Sequence, residues 1–236
     1  MALPQLNTSR FSTTIPSTGQ QVEYRPYLVK EEKILMMALE SQDQKQVLKA
    51  VSEILEICIF DEIDTSKLAM FDIEYLFLQL RSKSVGEIIS VELKCDDEKC
   101  KGVNPCEIKV DDIKPPVMHE NNLIELTDRV KLEVRFPNLV DVEAIDPNRL
   151  QTVEGASEMF SRLIVAIYDG EEMHLAKDST TDELVYFLES LNSAQYAKLT
   201  EFLNELPTMS HTETVNCAMC GKTRDFELKG LASFFT

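Results

Sequence analysis

The sequence predicts an α+β fold, with helical layers around a β-rich middle and a pair of cysteine-bearing hairpins. Three observations carry the prediction. Apolar residues recur with a helical period over residues 30–82 and again past residue 146, whereas the stretch between them alternates with a period of two. Four of the six cysteines sit in short loops between strand-like runs. At 236 residues, 44% of them hydrophobic and 28% charged, the chain can bury one sizeable core or two smaller ones.

From the N-terminus, Ser12-Thr13-Thr14-Ile15 and Gln21-Val22-Glu23-Tyr24 read as two strands around Pro16-Ser17-Thr18-Gly19, a Pro/Gly turn. A helical segment begins near Lys30 and breaks at Ser41-Gln42-Asp43, which suits the N-cap of a second helix. There Val47, Val51, Ile54, Leu55 and Cys58 form one apolar stripe, so Cys58 reads as core. A third helix over Phe71–Ser82 is apolar nearly all round and belongs at the centre of its layer. Strands are predicted over Ile88–Cys95, Cys106–Val110, Leu123–Leu126 and Val130–Phe136. Asp146-Pro147 should then start a helix over Asn148–Tyr168, followed by helices at Thr181–Leu191 and Ser193–Leu206. The tail, Thr212 to Leu228, reads as strand, cysteine turn and strand. The implied divisions are an arm over 1–29, helical regions over 30–86 and 146–207, a β-rich region over 87–145, and a cysteine hairpin over 208–236 packing back on 87–110.

Charge narrows the function classes. The formal net charge is −17, so most of the surface repels phosphate backbones, and nucleic acid is not an expected partner. No run approaches the roughly 18 apolar residues that would span a bilayer, and the first ten residues lack the pattern of a signal peptide. A cytosolic, reducing setting is expected, in which patterned cysteines mean metal or catalysis more often than disulfides.

The cysteines are patterned. Cys217-Ala218-Met219-Cys220-Gly221 is a knuckle in which two thiolates converge on one ion while glycine takes the strained backbone angle. Cys95 and Cys100, spaced Cys-x4-Cys, supply the second half of a zinc-ribbon-like site, with Cys106 as the competing ligand. Lys94, Lys99, Lys101, Lys222 and Arg224 crowd both turns and would steady the negative charge of four sulfurs around Zn2+. Four protein ligands leave no open position, so such a zinc is structural. The bland alternative is unmetallated thiols packing two hairpins.

Nothing in the sequence marks an enzyme. His119, His174 and His211 lack metal-ligand or catalytic spacing, no phosphate-binding glycine motif occurs, and the pairs Asp96-Asp97, Asp111-Asp112 and Glu171-Glu172 read as solvated charge. A small-molecule substrate is not expected.

Three stretches carry a resemblance. Ala2 to Asn7 with Tyr24-Arg25-Pro26-Tyr27-Leu28-Val29-Lys30-Glu31-Glu32-Lys33, the block from Phe71 to Glu87, and the end Gly230-Leu231-Ala232-Ser233-Phe234-Phe235 resemble the baseplate hub assembly proteins of T4-type phages. The resemblance implies a late phage protein of the infected bacterium's cytoplasm. Such a protein is a non-enzymatic chaperone for the central hub of the tail baseplate, and it is absent or minor in the finished virion. Its partners would be hub and tail assembly proteins. The alternatives are a minor structural subunit retained in the baseplate and, from another class, a zinc-ribbon nucleic-acid regulator; a metal-dependent hydrolase would need a non-cysteine ligand beside an open site. The polar members of the motif, Tyr24, Arg25, Tyr27, Arg81, Lys83 and Glu87, are the candidate partner-binding surface. Equally open is a structural reading, with Tyr75, Phe77 and Leu80 in the core and Arg81 capping its helix.

Overall fold

The structure is a computed structural model describing residues 8–41, 43–97, 99–118, 122–145, 149 and 152–234. Ala2 to Asn7, His119, Asp146-Pro147 with Asn148, and Phe235 therefore lie outside the described residues. Within them the chain runs β1 (Phe11–Thr14), β2 (Gln21–Tyr24), α1 (Val29–Glu40), α2 (Gln44–Cys58), α3 (Met70–Ser84), β3 (Ile88–Lys94), β4 (Val103–Lys109), β5 (Leu123–Glu125), β6 (Val130–Val134) and α4 (Leu139–Ala144). It continues through α5 (Val153–Leu163), β7 (Ile164–Asp169), β8 (Glu172–Leu175), α6 (Thr181–Glu189), α7 (Ser193–Asn204), β9 (Ser210–Asn216) and β10 (Thr223–Lys229). This is an α+β fold whose strands are all antiparallel. Two compact units divide it: residues 1–117 with 208–236, and residues 118–207. The second unit interrupts the first in sequence. None of the described helices is long and apolar enough to cross a membrane.

In the first unit, α3 is buried on every side: Ile73, Leu76, Phe77, Leu78 and Leu80 are each 2% exposed or less. Three two-stranded sheets accompany the helices, β1 with β2, β3 with β4, and β9 with β10. In β3 the pleat turns Ile89, Val91 and Leu93 inward and Ile88, Ser90, Glu92 and Lys94 outward. The N-terminal hairpin is pinned to α3 through Asp72. Its buried carboxylate accepts from the Ser17 amide at 2.9 Å and the Ser17 hydroxyl at 2.5 Å, and also from the Ala69 amide at the helix start. Asp43 caps α2 by accepting from the Lys45 amide at 2.9 Å, and Cys58 is fully buried on that helix.

Glu31 closes the first turn of α1. Its side chain accepts from the Leu28 amide at 2.6 Å and from Arg25 at 3.1 Å, with Lys30 also near. Burial works against its charge, but the hydrogen bonds from Arg25, Leu28 and Lys30 prevail and hold the carboxyl below its usual range. A lowered folded-state value means that the ionised group stabilises the fold above its ordinary value and that this contribution fades as pH falls through the folded one.

The second unit is a four-stranded sheet in the order β5-β6-β7-β8 with α5, α6 and α7. Ile124, Leu132, Val134, Phe160, Leu184, Leu188 and Leu199 fill its core. Phe160 meets Tyr196 edge-on at 6.2 Å, and Arg135 grips Asp141 with two hydrogen bonds at 2.5 and 2.9 Å. The helix expected up to Tyr168 ends at Leu163, and the chain turns directly into β7. Ile164, Val165, Ile167 and Tyr168 are β-branched or aromatic, types suited to a pleated surface, and β7 pairs with β6 on one side and β8 on the other. A short apolar run of this kind fits buried helix and buried strand equally by period, and strand pairing decides it. Helix α4, inside the stretch read as β-rich, starts with a reciprocal cap: Asp141 N–H donates to Asn138 and Asn138 N–H donates to Asp141.

Two outcomes test this packing. Glu31→Gln lowers stability at pH 7 by on the order of 3 kcal/mol, and its deficit shrinks as pH drops below the usual carboxylate value of 4.5, read by chemical denaturation across that range. Phe160→Ala costs about 3–5 kcal/mol and selectively exposes amides of residues 122–204 to hydrogen exchange.

Candidate metal centre

Two hairpins of the first unit, one on each side of the second unit in sequence, bring four sulfurs together. The β3–β4 turn carries Cys95 and Cys100; the β9–β10 turn carries Cys217 and Cys220. Their backbones close alike: the Cys95 amide donates to the Gly102 carbonyl at 2.8 Å, and the Cys217 amide donates to the Lys222 carbonyl at 3.0 Å. Gly221, at φ +69°, takes the left-handed conformation that turns the second knuckle back.

All four Sγ atoms lie within 4.8 Å of one another. Cys95 Sγ is 3.9 Å from Cys220 Sγ, and Cys100 Sγ is 3.7 Å from Cys217 Sγ. A disulfide would need about 2.05 Å. A tetrahedron with metal–sulfur bonds of about 2.3 Å has edges of roughly 3.8 Å, so the spacing suits one thiolate-bound ion. Among the described residues this is the one group of three or more His, Cys, Asp or Glu side chains able to hold a metal.

The electrostatics point the same way. The backbone amides of Cys220, then Met219, pull the Cys217 thiol down to about 6. At Cys100 the Gly102 amide favours the thiolate, but desolvation and the neighbouring sulfurs outweigh it and push the thiol up to about 12. Backbone donors thus favour the first negative charge in the cluster, and crowding opposes the next. Four ionised thiols at this spacing would need a cation at the centre. Gly102 has a second role here: a Cβ on it would stand 2.7 Å from Cys217 Sγ and 3.3 Å from Cys100 Sγ. Any larger residue would intrude into the cluster.

Cys106 lies apart, on β4 opposite Val91, with its sulfur 3.7 Å from the Asn104 carbonyl. His174 is exposed on β8 near Glu172, and His211 lies between the Asp112 carbonyl and Glu213.

The surrounding charges act differently from the sequence expectation. Lys222 binds Asp97 at 2.5 Å, and Arg224 binds Asp96 at 2.7 Å and Asp97 at 3.6 Å. These cations stitch one hairpin to the other, and Lys222 foremost holds the Asp97 carboxyl below its usual range. Asp96 and Asp97, read as solvated charge, are their partners; Lys94, Lys99 and Lys101 are exposed. Sequence reasoning also missed Asn104. Buried on β4, it donates to the Leu93 carbonyl at 3.2 Å and accepts from the Ala218 amide at 3.1 Å, joining the two knuckles. No local signal marks it, because its partner Ala218 lies 114 positions along the chain.

The candidate partner surface needs correction, because its two tyrosines are not exposed. Tyr24 and Tyr27 are buried at 3% and 9% exposure. Burial pushes the Tyr24 phenol up to about 12. Tyr24 packs on Phe11 with ring centroids 5.9 Å apart, and the Tyr27 amide donates to Ser84 Oγ at 2.9 Å. Arg25 is taken up by Glu31 and the Pro26 carbonyl. Arg81 is half-buried beside Tyr27. Lys83 and Glu87 form an ion pair one turn apart, with Lys83 also over the Phe11 ring. Tyr27 and Lys83 fasten the arm to α3, and Arg25 fastens it to α1.

A family model described as T4 bacteriophage base plate protein matches residues 8–236. No curated protein and no solved structure matches the chain.

Gly102→Ala tests the cluster with the four ligands left in place. The expected result is a lower melting temperature and weaker Co2+ uptake, read by the thiolate-to-cobalt absorption, whereas Cys106→Ala leaves both unchanged.

Proposed function

The chain belongs to the T4 bacteriophage base plate protein family, and from that premise we propose that it is a non-enzymatic assembly factor for the baseplate hub, working by protein–protein binding in the cytoplasm of the infected cell. The observation that carries the binding reading is the surface of α1. Leu28 at its cap and Val29, Ile34, Met36, Met37 and Leu39 along it are all exposed, Met37 at 71% and Val29 at 67%. Apolar side chains concentrated on one exposed element mark interaction sites, and methionine adapts to irregular partner surfaces. The hub-assembly reading draws on the likeness of residues 24–33 and 71–87 to hub assembly proteins. In the fold these stretches interlock through the Tyr27–Ser84 hydrogen bond.

In the same reading the four cysteines hold one structural Zn2+. Cys95, Cys100, Cys217 and Cys220 would be its ligands, and the ion would supply charge neutralisation and a rigid junction, with no position open for a substrate. The purified chain should carry about one zinc per molecule by metal analysis, and chelation should lower its melting temperature.

The functional test is affinity capture of the tagged chain from phage-infected cells with mass spectrometry. Hub components should be enriched with the parent chain and reduced about tenfold with Met36→Glu/Met37→Glu, whose circular dichroism should match the parent. Equal recovery of hub components by both chains would refute the α1 surface. Stoichiometric presence of the chain in purified tails would replace the assembly factor with a retained structural subunit.

A further inference from the structure

The sulfur cluster has an outer and an inner side. Cys220 is exposed and Cys95 half-buried, and their sulfurs are 3.9 Å apart. Cys217 is buried, paired with Cys100 at 3.7 Å, and backed by the Gly102 backbone. Both of these sulfur contacts cross from one hairpin to the other. The hairpins are also held together independently of any ion, by Lys222 with Asp97, Arg224 with Asp96, and Asn104 with the Ala218 amide. Loss of a metal therefore leaves Cys95 and Cys220 facing each other at the solvent side. Within each knuckle the backbone is fixed by its own hydrogen bonds, Cys100 N–H to the Asp97 carbonyl in one and Gly221 N–H to the Cys217 carbonyl in the other.

We propose that Cys95 and Cys220 are a peroxide-sensitive thiol pair, oxidation of which replaces the metal clamp with a disulfide between the two hairpins. The Cys220 thiolate attacks hydrogen peroxide, cleaving the O–O bond and expelling hydroxide to give a sulfenic acid. The Cys95 thiolate then attacks that sulfur and expels a second hydroxide. With two protons taken up, two thiolates and one peroxide become one disulfide and two waters. Any ion held there would keep only Cys100 and Cys217 as ligands, too few for a four-thiolate site, and would be released. The disulfide spans 125 positions of sequence, so the chain end stays tied to the middle in either state. The released ion, but not the pairing, rests on the zinc reading above.

The full chain, after metal analysis, is titrated with hydrogen peroxide while a chromogenic chelator reads zinc, and the products are mapped as non-reduced peptides. The expected first product is a peptide pair linked through Cys95 and Cys220, formed as zinc is released and reversed by dithiothreitol. Cys106→Ala should give the same product. A dominant link within one knuckle, Cys95 to Cys100 or Cys217 to Cys220, overturns the proposal, as does irreversible sulfinate or sulfonate at Cys220 without a cross-link. If the chain carries no zinc, the zinc reading fails, and the same peptide map still decides the pairing.

Discussion

The convergence of two cysteine hairpins across more than a hundred residues is the constraint on which the first unit depends. Cys95 and Cys220 are 125 positions apart and Cys100 and Cys217 are 117 apart, and the whole of the second unit lies between them in sequence. Closing so long a loop costs chain entropy that grows slowly with length, so the return of the tail needs contacts at its destination. The structure supplies these in series: the bridge from Lys114 to Ser210, the hydrogen bond from Asn104 to Ala218, the ion pairs of Lys222 and Arg224, and the sulfurs at the tip.

These contacts are unequal. Lys222 is 58% exposed and Arg224 31%, and ion pairs at such solvent-screened sites contribute little to stability. The Asn104 bond, buried, is worth about 1 kcal/mol. A structural zinc, on the proposed reading, contributes on the order of 10 kcal/mol and so would dominate the closure. The ion pairs then serve registry: they bring Asp96 and Asp97 opposite the second hairpin so that four sulfurs meet at one point. This division of labour explains why a chain with net charge −17 keeps cations at this turn. They answer two aspartates on the facing hairpin, and the backbone amides at Cys217 already answer the sulfur.

Much of this was legible in the sequence, for identifiable reasons. The Cys-x2-Cys-Gly knuckle has a fixed backbone requirement, so its hairpin could be read from five residues. Helix α2 was legible because its stripe from Val47 to Cys58 repeats over about three turns, and α3 because no polar face interrupts it. The end of α5 was illegible, since Ile164 to Tyr168 carry no turn residue and only pairing with β6 makes them a strand. Asn104 and Gly102 were equally hidden: each acts on a residue more than a hundred positions away, and local patterning holds no trace of such contacts. Asp96 and Asp97 were misread for the same reason.

The fate of Tyr24, Arg25 and Tyr27 shows how a recognisable motif can report architecture. Tyrosine and arginine anchor interfaces when exposed, but here the tyrosines are buried and the arginine is spent on Glu31. Their neighbours Ser17 and Ser84 complete the attachment of the arm to α3 through Asp72 and the Tyr27 amide. A pattern that must satisfy a buried carboxylate, two packed phenols and a helix end at once tolerates little change, which makes it distinctive irrespective of any partner. The outward side of α1, where Val29, Met36 and Met37 need only remain apolar, leaves no such signature in sequence, and so its exposure emerged only from the fold.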